Sequence, residues 1–495
     1  MPETRVDLRP YPLLGRVCAF WAARGVKTYI TGGFVRDAVL GRVPRDADLS
    51  LEADPLDAAR TVADAFGGSF VAVSDMPCWE VGRAVLPDLA IDLSRISGDL
   101  EQDLGRRDFT IDAMALDPTC YPLAPVIDPC GGLTDISTRQ LRAVHAGVFE
   151  QDPARLLRGV RLAAELGFTL DAGTAKRIRE QADLLSSVSA ERLREELCKL
   201  LASPQGAAHV FLLDDLGLLI QLVPELAVAR GVTQPPEHHW DVFRHSLEAV
   251  ARAEALLERR GPPEIISAVP WGPDIQAHFT EEVSSGHRRY ALLKLAALVH
   301  DVAKPTKKTT EDNGRVHFYG HAQEGAAMAQ AIMERLRFSN REARLVFRMV
   351  EHHLRPRQMV PQGEELPTPR AIYRYFRDLE DTAIDTLFLN LADHWASRGP
   401  DLVLEDWREH AATVAYVLDH WRQETVVVRP PRLVTGHDIV RELGLEPGPA
   451  VGEVLEALKE AQAAGQVVSR EDALAWAKRY LSQQPTGPVL VKERQ

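Results

Sequence analysis

An α+β head followed by an all-helical body is the architecture this sequence predicts, on three observations. Helical and strand periodicities alternate up to about Leu141, strand patterns cease from Asp152 onward, and the chain is 495 residues long. At roughly 150 residues per domain that length suits about three domains. Hydrophobic content of 45% and charged content of 26% are those of ordinary globular chains, which excludes wholesale disorder and a fibrous protein.

The head reads in order as follows. Residues 11–24 form an apolar-periodic helix closed by Gly25, 26–31 a β-rich run, and 34–40 a helix. Asp46–Leu51 alternates as a strand does, Pro55–Phe66 is helical, and Ser69–Ser74, 79–86 and 89–96 read as strands. In the body, Asp152-Pro153 supplies an N-cap and an N1 proline for a helix running to Leu166 and stopping at Gly167. Helices near 175–185, 190–201 and 207–216 follow. A second helical block covers 245–420, with polar, proline-bearing loops expected at 261–286 and 361–369, and two further helices lie within 435–481.

Charge and cysteine usage narrow the function classes. Lys and Arg total 58 against 71 Asp and Glu, a net charge of −13, so the chain does not hold nucleic acid by bulk charge; a local basic track stays open. One such track is 335–377, where ten Arg/Lys face four Asp/Glu and could follow an RNA backbone or form a solvated helical face. The five cysteines show no C-x-x-C spacing and read as reduced thiols. The first residues lack a basic segment leading into an apolar core, and no apolar run approaches the roughly 18 residues a membrane helix needs. The expectation is a soluble cytoplasmic protein with no membrane partner.

Several segments carry chemistry. Gly32 and Gly33 join a strand to a helix, where backbone amides can approach a phosphate; a plain tight turn gives the same pattern. Asp46 and Asp48, two apart on a strand, project from one face and suit hard divalent cations that activate a hydroxyl and neutralise pyrophosphate. A solvated strand face has the same spacing. Asp92, in a neighbouring strand pattern, is either a third carboxylate or an outward polar residue. Arg106 and Arg107 beside Asp108 suit a triphosphate, because guanidinium is always charged and bonds in bidentate fashion. His245, His300-Asp301 and Asp393 lie on separate helical patterns, a donor set able to hold a metal that activates water.

The order of these segments resembles a family. Gly32-Gly33-Phe34-Val35-Arg36-Asp37, Asp46-x-Asp48, Arg106-Arg107-Asp108, Gly131-Gly132-Leu133-Thr134-Asp135, Asp152-x-x-Arg155-x-x-Arg158 and Glu191-Arg192-x-x-x-Glu196 look like the motifs of class II tRNA nucleotidyltransferases, the CCA-adding enzymes and bacterial poly(A) polymerases. The resemblance covers about the first 225 residues. It implies a polymerase-β-like palm holding Mg²⁺ on Asp46 and Asp48, followed by a helical neck. There Asp152 and Arg155 read the incoming base and Arg158 joins the nucleotide-binding set. A carboxylate and a guanidinium match the exocyclic amine and ring acceptor of cytosine or adenine, and mismatch uracil and guanine. The set His245, His300-Asp301, Asp393, with His321 and His352-His353, resembles the HD phosphohydrolase domain fused to several CCA-adding enzymes, whose divalent metal the sequence does not identify.

Three departures accompany the match. Gln151 replaces the usual Glu before Asp152, Asp112 stands where Asn is usual, and only 14 positions separate Asp92 from Arg106. Longer segments there accompany the switch from C to A, so the short one points to an enzyme adding cytidines alone. The expected domains are a palm at 1–141, a neck at 142–235, an HD-type domain at 236–425 and a helical tail at 426–495. The expected function is addition of CCA to tRNA from CTP and ATP by two-metal transfer, with possible HD hydrolysis. CC addition alone, poly(A) synthesis and non-catalytic RNA binding are the alternatives.

Overall fold

The computed structural model describes residues 4–44, 46–74, 80–423 and 427–483; Arg45, Cys78 and Trp79 lie outside them. The chain divides into two compact units, Met1–Leu222 and Val223–Gln495.

The first unit is built on eight strands: β1 (Arg5–Asp7), β2 (Thr28–Thr31), β3 (Asp46–Leu51), β4 (Ser69–Ser74), β5 (Val81–Leu86), β6 (Leu89–Arg95), β7 (Ala115–Leu116) and β8 (Leu123–Ile127). Their order across the sheet is β1-β8-β7-β2-β3-β6-β5-β4, with β3 and β6 parallel and the other pairs antiparallel. Alternation along β3 sends Ala47, Leu49 and Leu51 into a core with Ile30, Phe34, Ile91 and Leu93, and turns Asp46, Asp48 and Ser50 to the other face. The helix Pro55–Phe66 closes over that core with Ala59 and Val62, capped by the Asp54 carboxylate, which accepts from Leu56 N and Asp57 N.

The helical neck of this unit departs from the sequence reading at its start. The helix runs Arg155–Leu166, and Asp152 instead ends a short helix, Val148–Gln151. The Asp152 carboxylate still accepts from Ala154 N at 3.3 Å. The predicted stop holds: Gly167 adopts φ 69°, a left-handed conformation that glycine takes without penalty. A helix at Ala172–Glu180 passes into a 3₁₀ turn at Ala182–Ser187, and Ala190–Ala202 and Gly206–Asp215 complete the bundle.

In the second unit the helices Val242–Leu257, Arg289–Val299, His321–Arg335, Asn340–His352 and Ala383–Arg398 pack around a buried centre. Strands do not wholly vanish beyond Asp152. Short pairs occur at Thr169–Leu170 with Gln140–Leu141, Glu282–Ser284 with His287–Arg288, and Thr309–Thr310 with Val316–His317. The 261–286 segment is also more ordered than a loop. Pro263 and Pro273 open helices at Pro263–Ile266 and Pro273–Thr280, where a missing N–H costs nothing. The tail carries three helices, Gly436–Leu443, Pro449–Ala463 and Arg470–Ser482, around Ile439, Val454, Leu458 and Ala477.

The basic track at 335–377 is largely neutralised within its own unit. Arg335 pairs with Glu225, Arg341 with Glu281, Arg348 with Glu380 and Arg355 with Asp378, while Arg370, Arg374 and Arg377 converge on Glu460 of the tail. These arginines dock helices to one another. No helix among the described residues is long and apolar enough to cross a membrane.

Candidate active site and metal centre

Strand register lays one polar row across the palm. Thr31 of β2 opposes Asp48 of β3, Asp48 opposes Asp92 of β6, and Asp92 opposes Arg83 of β5. Arg83 donates to both Asp92 oxygens, Nε at 2.6 Å and Nη2 at 2.7 Å, so the candidate third carboxylate is held by a guanidinium. Among the described residues no third His, Cys, Asp or Glu ligand joins Asp46 and Asp48 in a group within 4.8 Å. Asp46 and Asp48 share the polar face of β3.

Burial pushes the Asp48 carboxyl up to about 6; the Arg107 guanidinium opposes this, and the neighbouring charges of Asp92, Asp46 and Asp112 add to it. Such an excess of negative charge fits a divalent cation. Because protonation competes with the cation, affinity at this pair should fall about tenfold per pH unit below about pH 6 and level off above it. A Mn²⁺ titration across that range checks this; a flat affinity would contradict the placement.

Gly32 is the backbone counterpart of that carboxylate. It has φ 70°, and a Cβ there would lie 2.5 Å from Asp48 Oδ2 and 2.8 Å from Arg107 Nη1. Gly33 follows as the first residue of the helix Gly33–Val39. Arg107 Nη2 donates to Thr31 Oγ1 at 2.8 Å and Ser50 Oγ at 3.2 Å, which fixes the guanidinium beside the carboxylates. Arg36 donates to Asp37 and, through Nη1 at 2.7 Å, to Asp112. The departure from Asn at position 112 thus gives Arg36 a charged partner. The other departure, Gln151, is exposed.

The neck's charged groups are interlinked. Arg158 bridges Asp108 (3.1 Å) and Glu196 (3.3 Å), and Arg161 pairs with Glu196 and Glu165. Although burial opposes it, the charges of Arg158 and Arg155 hold the Asp108 carboxyl below its usual range. Asp108, between the helix Leu100–Gly105 and the 3₁₀ turn Thr110–Asp112, is thus tied by Arg158 to the neck helix. Asp152 accepts from Arg192 Nη2 at 2.7 Å and lies 3.8 Å from Arg155 Nε, while Arg155 also donates to the Val148 and Arg106 carbonyls. Arg155 and Asp152 stand side by side. A cavity of about 470 Å³ brings Arg155 to Arg106, Arg107, Arg95 and Asp103. Sequence reasoning assigned no role to Arg83, Thr31, Ser50 or Arg192; Thr31, Ser50 and Arg192 lay inside segments that carry the motifs, and Arg83 carried no local signal.

In the second unit the four expected ligands meet. His245 Nε2 lies 3.1 Å from His300 Nε2, 3.2 Å from Asp301 Oδ2 and 3.1 Å from Asp393 Oδ1, and all four residues offer ligand atoms within 4.8 Å of one another. Burial disfavours a charged His300, yet Asp301 and Asp393 push it up to about 10. A proton on His300 thus stands in for a cation, and a divalent ion fits the same donors. Lys304 Nζ reaches Asp301 Oδ2 at 2.6 Å. A cavity of about 800 Å³ opens on Asp393, with Lys304, Arg355, Arg357 and Arg398 in its wall.

Comparison with known proteins agrees with this division of labour. Residues 28–77 and 84–142 match the Poly A polymerase head domain and 242–395 the HD domain. Residues 167–230 match the model described as "probable RNA and SrmB-binding site of polymerase A", and 403–477 the one described as "tRNA nucleotidyltransferase domain 2 putative". Both the head and the HD families use divalent metals. The fold is that of a solved CCA-adding enzyme complexed with CTP, with TM-score 0.65 and 20% identity over 97% of each chain. The Thermotoga maritima CCA-adding enzyme complexed with tRNA gives TM-score 0.62 at 20% identity, over 96% of this chain and 97% of that one. Among curated relatives, the A-adding tRNA nucleotidyltransferase of Deinococcus radiodurans is 34% identical over 92% of this chain and 96% of its own. The CC-adding tRNA nucleotidyltransferase of Thermus thermophilus is 34% identical over 90% and 92%. With a third of its residues shared along nearly the whole of such enzymes, the chain belongs to the tRNA nucleotidyltransferase family.

Proposed function

We propose that the protein extends the 3′ end of tRNA with the nucleotides of CCA, taking CTP and ATP without a nucleic-acid template. The observation that carries this reading is the convergence of Arg155, partner of Asp152, with Arg106 and Arg107 on one cavity, Arg107 being anchored beside the Asp46–Asp48 pair. Mg²⁺ on Asp46 and Asp48 would lower the pKa of the primer hydroxyl and neutralise the departing pyrophosphate. Arg106 and Arg107 take the triphosphate, the amides of the Gly32-Gly33 turn border it, and the Asp152–Arg155 pair offers one acceptor and one donor to the base edge. In this reading 1–141 acts as the palm, 142–235 as the neck, 236–425 as the HD domain and 426–495 as a helical tail. Incubating the protein with tRNA lacking its 3′ end and each labelled triphosphate singly tests it: C should be incorporated, and G and U rejected.

Arg155→Ala should cut CTP use by about ten- to a hundredfold, the worth of a charge-assisted bond of roughly 1.5–3 kcal/mol, and relax discrimination against UTP. An unchanged CTP-to-UTP ratio would mean that the pair only shapes the helix start.

A second reading, addition of two cytidines alone, is favoured by one feature. Between Asp92 and Arg106 the strand β6 runs to Arg95 and the helix Leu100–Gly105 begins at once, leaving 96–99 as the connection. Little chain remains there to remodel the base pocket for adenine. Relatives of equal identity are named A-adding and CC-adding, so two arms decide: addition of one A to tRNA ending in CC together with addition of C to tRNA lacking its 3′ end supports the full CCA reading, and C addition without A addition supports the second.

For the HD domain we propose metal-dependent hydrolysis of a phosphate ester, the ion held by His245, His300, Asp301 and Asp393, and the phosphate met by Lys304 and the arginines of the cavity wall. His300→Ala should abolish release of phosphate, or opening of a 2′,3′-cyclic phosphate, across Mg²⁺, Mn²⁺, Ni²⁺ and Co²⁺. No hydrolysis by the unaltered protein with any of them would leave the domain a structural one.

A further inference from the structure

Two arginines flank the carboxylates of the palm, one on each side along the sheet. Arg107 stands on the β2 side, anchored on Thr31 of β2 and Ser50 of β3. Arg83 stands on β5, across Asp92 of β6 from Asp48, so that Asp48-Asp92-Arg83 spans two strand spacings, roughly 10 Å of sheet. Its hydrogen bonds to Asp92, with the charges of Asp92, Asp46 and Asp48, hold the Arg83 pKa above the usual guanidinium range.

The two sides differ in what covers them. Thr31, Ser50 and both residues of β7 are buried. Toward β4 the same face is open: the Arg83 side chain is 38% exposed, and Val85 beside it on β5 and Val71 opposite it on the edge strand β4 are exposed as well. The backbone under Arg83 is fixed. Gly82 packs so closely on the helix Pro55–Phe66 that a Cβ there would lie 2.5 Å from the Pro55 carbonyl oxygen and 2.6 Å from Ala59 Cβ, and alternation turns Arg83 to the other face. Arg83 spends Nε and Nη2 on Asp92, and Nη1 has no acceptor among the described residues. A bidentate carboxylate sets the plane of a guanidinium, so the remaining N–H groups point in a fixed direction, ready for an oxyanion.

The direction of the reaction tells the two arginines apart. Transfer joins the primer 3′ oxygen to the α-phosphorus while pyrophosphate leaves in line, so primer and triphosphate approach the metal pair from opposite sides. Arg107, on the enclosed side, meets the triphosphate, and the open side is left for the primer. We propose that Arg83, aimed by Asp92, binds the last phosphodiester of the tRNA, the one preceding the nucleotide that carries the attacking hydroxyl, and that Val85 and Val71 underlie that nucleotide. The proposal rests on the reading that Asp46 and Asp48 hold the metal and Arg107 meets the triphosphate. Asp92 is then a positioning residue: its charge is matched by Arg83, and the primer backbone does not meet three unpaired carboxylates. A phosphate contact fixes register without reading sequence, so it serves any tRNA.

The experiment compares single-turnover CTP incorporation into tRNA lacking its 3′ end and into the same RNA with an uncharged methylphosphonate as its last linkage. With the full-length protein the methylphosphonate should raise the RNA concentration for half-maximal rate about ten- to a hundredfold, the worth of a charge-assisted hydrogen bond, and leave the KM for CTP unchanged. Arg83→Gln should cost the same factor with the natural RNA and be blind to the methylphosphonate, because the two changes remove one contact. Arg83→Lys should restore much of the loss. Because Arg83→Gln strands the Asp92 charge, Arg83→Gln combined with Asp92→Asn, which keeps a neutral pair, repeats the measurement in a fold without that charge. Equal use of both RNAs by the unaltered protein, or losses that multiply when variant and methylphosphonate are combined, overturns the proposal and leaves the transfer site standing. So does a rise in the KM for CTP with Arg83→Gln, since Arg83 would then serve the nucleotide. The underlying reading fails separately, and takes the proposal with it, if Asp48→Ala still transfers or Arg107→Ala leaves the KM for CTP unchanged.

Discussion

Asp48→Ala should lower nucleotidyl transfer by about a thousandfold or more, and Asp46→Ala by a similar factor, with secondary structure and HD-centre metal binding unchanged. The size follows from what is lost. A metal ion that activates a hydroxyl and stabilises a leaving group is worth several kcal/mol of barrier, and about 4 kcal/mol is roughly a thousandfold in rate. The fold should tolerate the change, because Asp46 and Asp48 lie on the polar face of β3 while Ala47, Leu49 and Leu51 pack the core. Removing Asp48 also relieves a half-buried carboxylate, repelled by its neighbours, whose pKa is pushed up to about 6, so thermal stability at neutral pH should rise or hold. Substantial transfer by the double variant would remove the palm assignment.

Gly32→Ala is expected to be nearly as severe for activity although it adds one methyl group. The new Cβ would stand 2.5 Å from Asp48 Oδ2 and 2.8 Å from Arg107 Nη1, at a backbone φ of 70° that costs an alanine about 1–2 kcal/mol by itself. The carboxylate and guanidinium must shift, and a misplacement near 1 Å at a reacting centre costs on the order of a hundredfold. Gly33→Ala makes the control. Its Cβ would meet only the flexible end of Arg36 at 3.3 Å, so a loss below about tenfold is expected. Equal activity losses in the two variants, measured by single-turnover CTP incorporation, would mean that the turn matters for helix geometry and not for the carboxylate.

The head was the more legible half of the chain because its signals are local. Asp46–Leu51 alternates with period two and forms β3 with those bounds, and Pro55–Phe66 carries its own Asp54 cap. Strands β1, β7 and β8 escaped because they are two to five residues long and are held by neighbours far along the chain. Asp152 was read as a helix cap because Asp-Pro is a strong local start; its carboxylate is instead claimed by Arg192, forty positions on, which no local pattern reveals. Distance explains the basic track too. Glu225, Glu281, Glu380 and Glu460 all lie outside the segment they neutralise or approach it from another helix. Among the proposed metal ligands, His300-Asp301 was legible as a dipeptide ending an apolar helix. The orientation of Asp301 Oδ1 toward His321 and His353 emerges only when separate helices pack together.

Sequencing the 3′ ends of tRNA that initially lacks its CCA, after incubation with the protein and all four triphosphates, tests the central claim most directly. On the proposed roles, transfer by Asp46 and Asp48 and choice of base by the Asp152–Arg155 pair, extension should stop after two or three residues, at CC or CCA, and vanish in the Asp48→Ala variant. An unbounded A tail, ends of mixed sequence, or extension that survives Asp48→Ala would contradict the account.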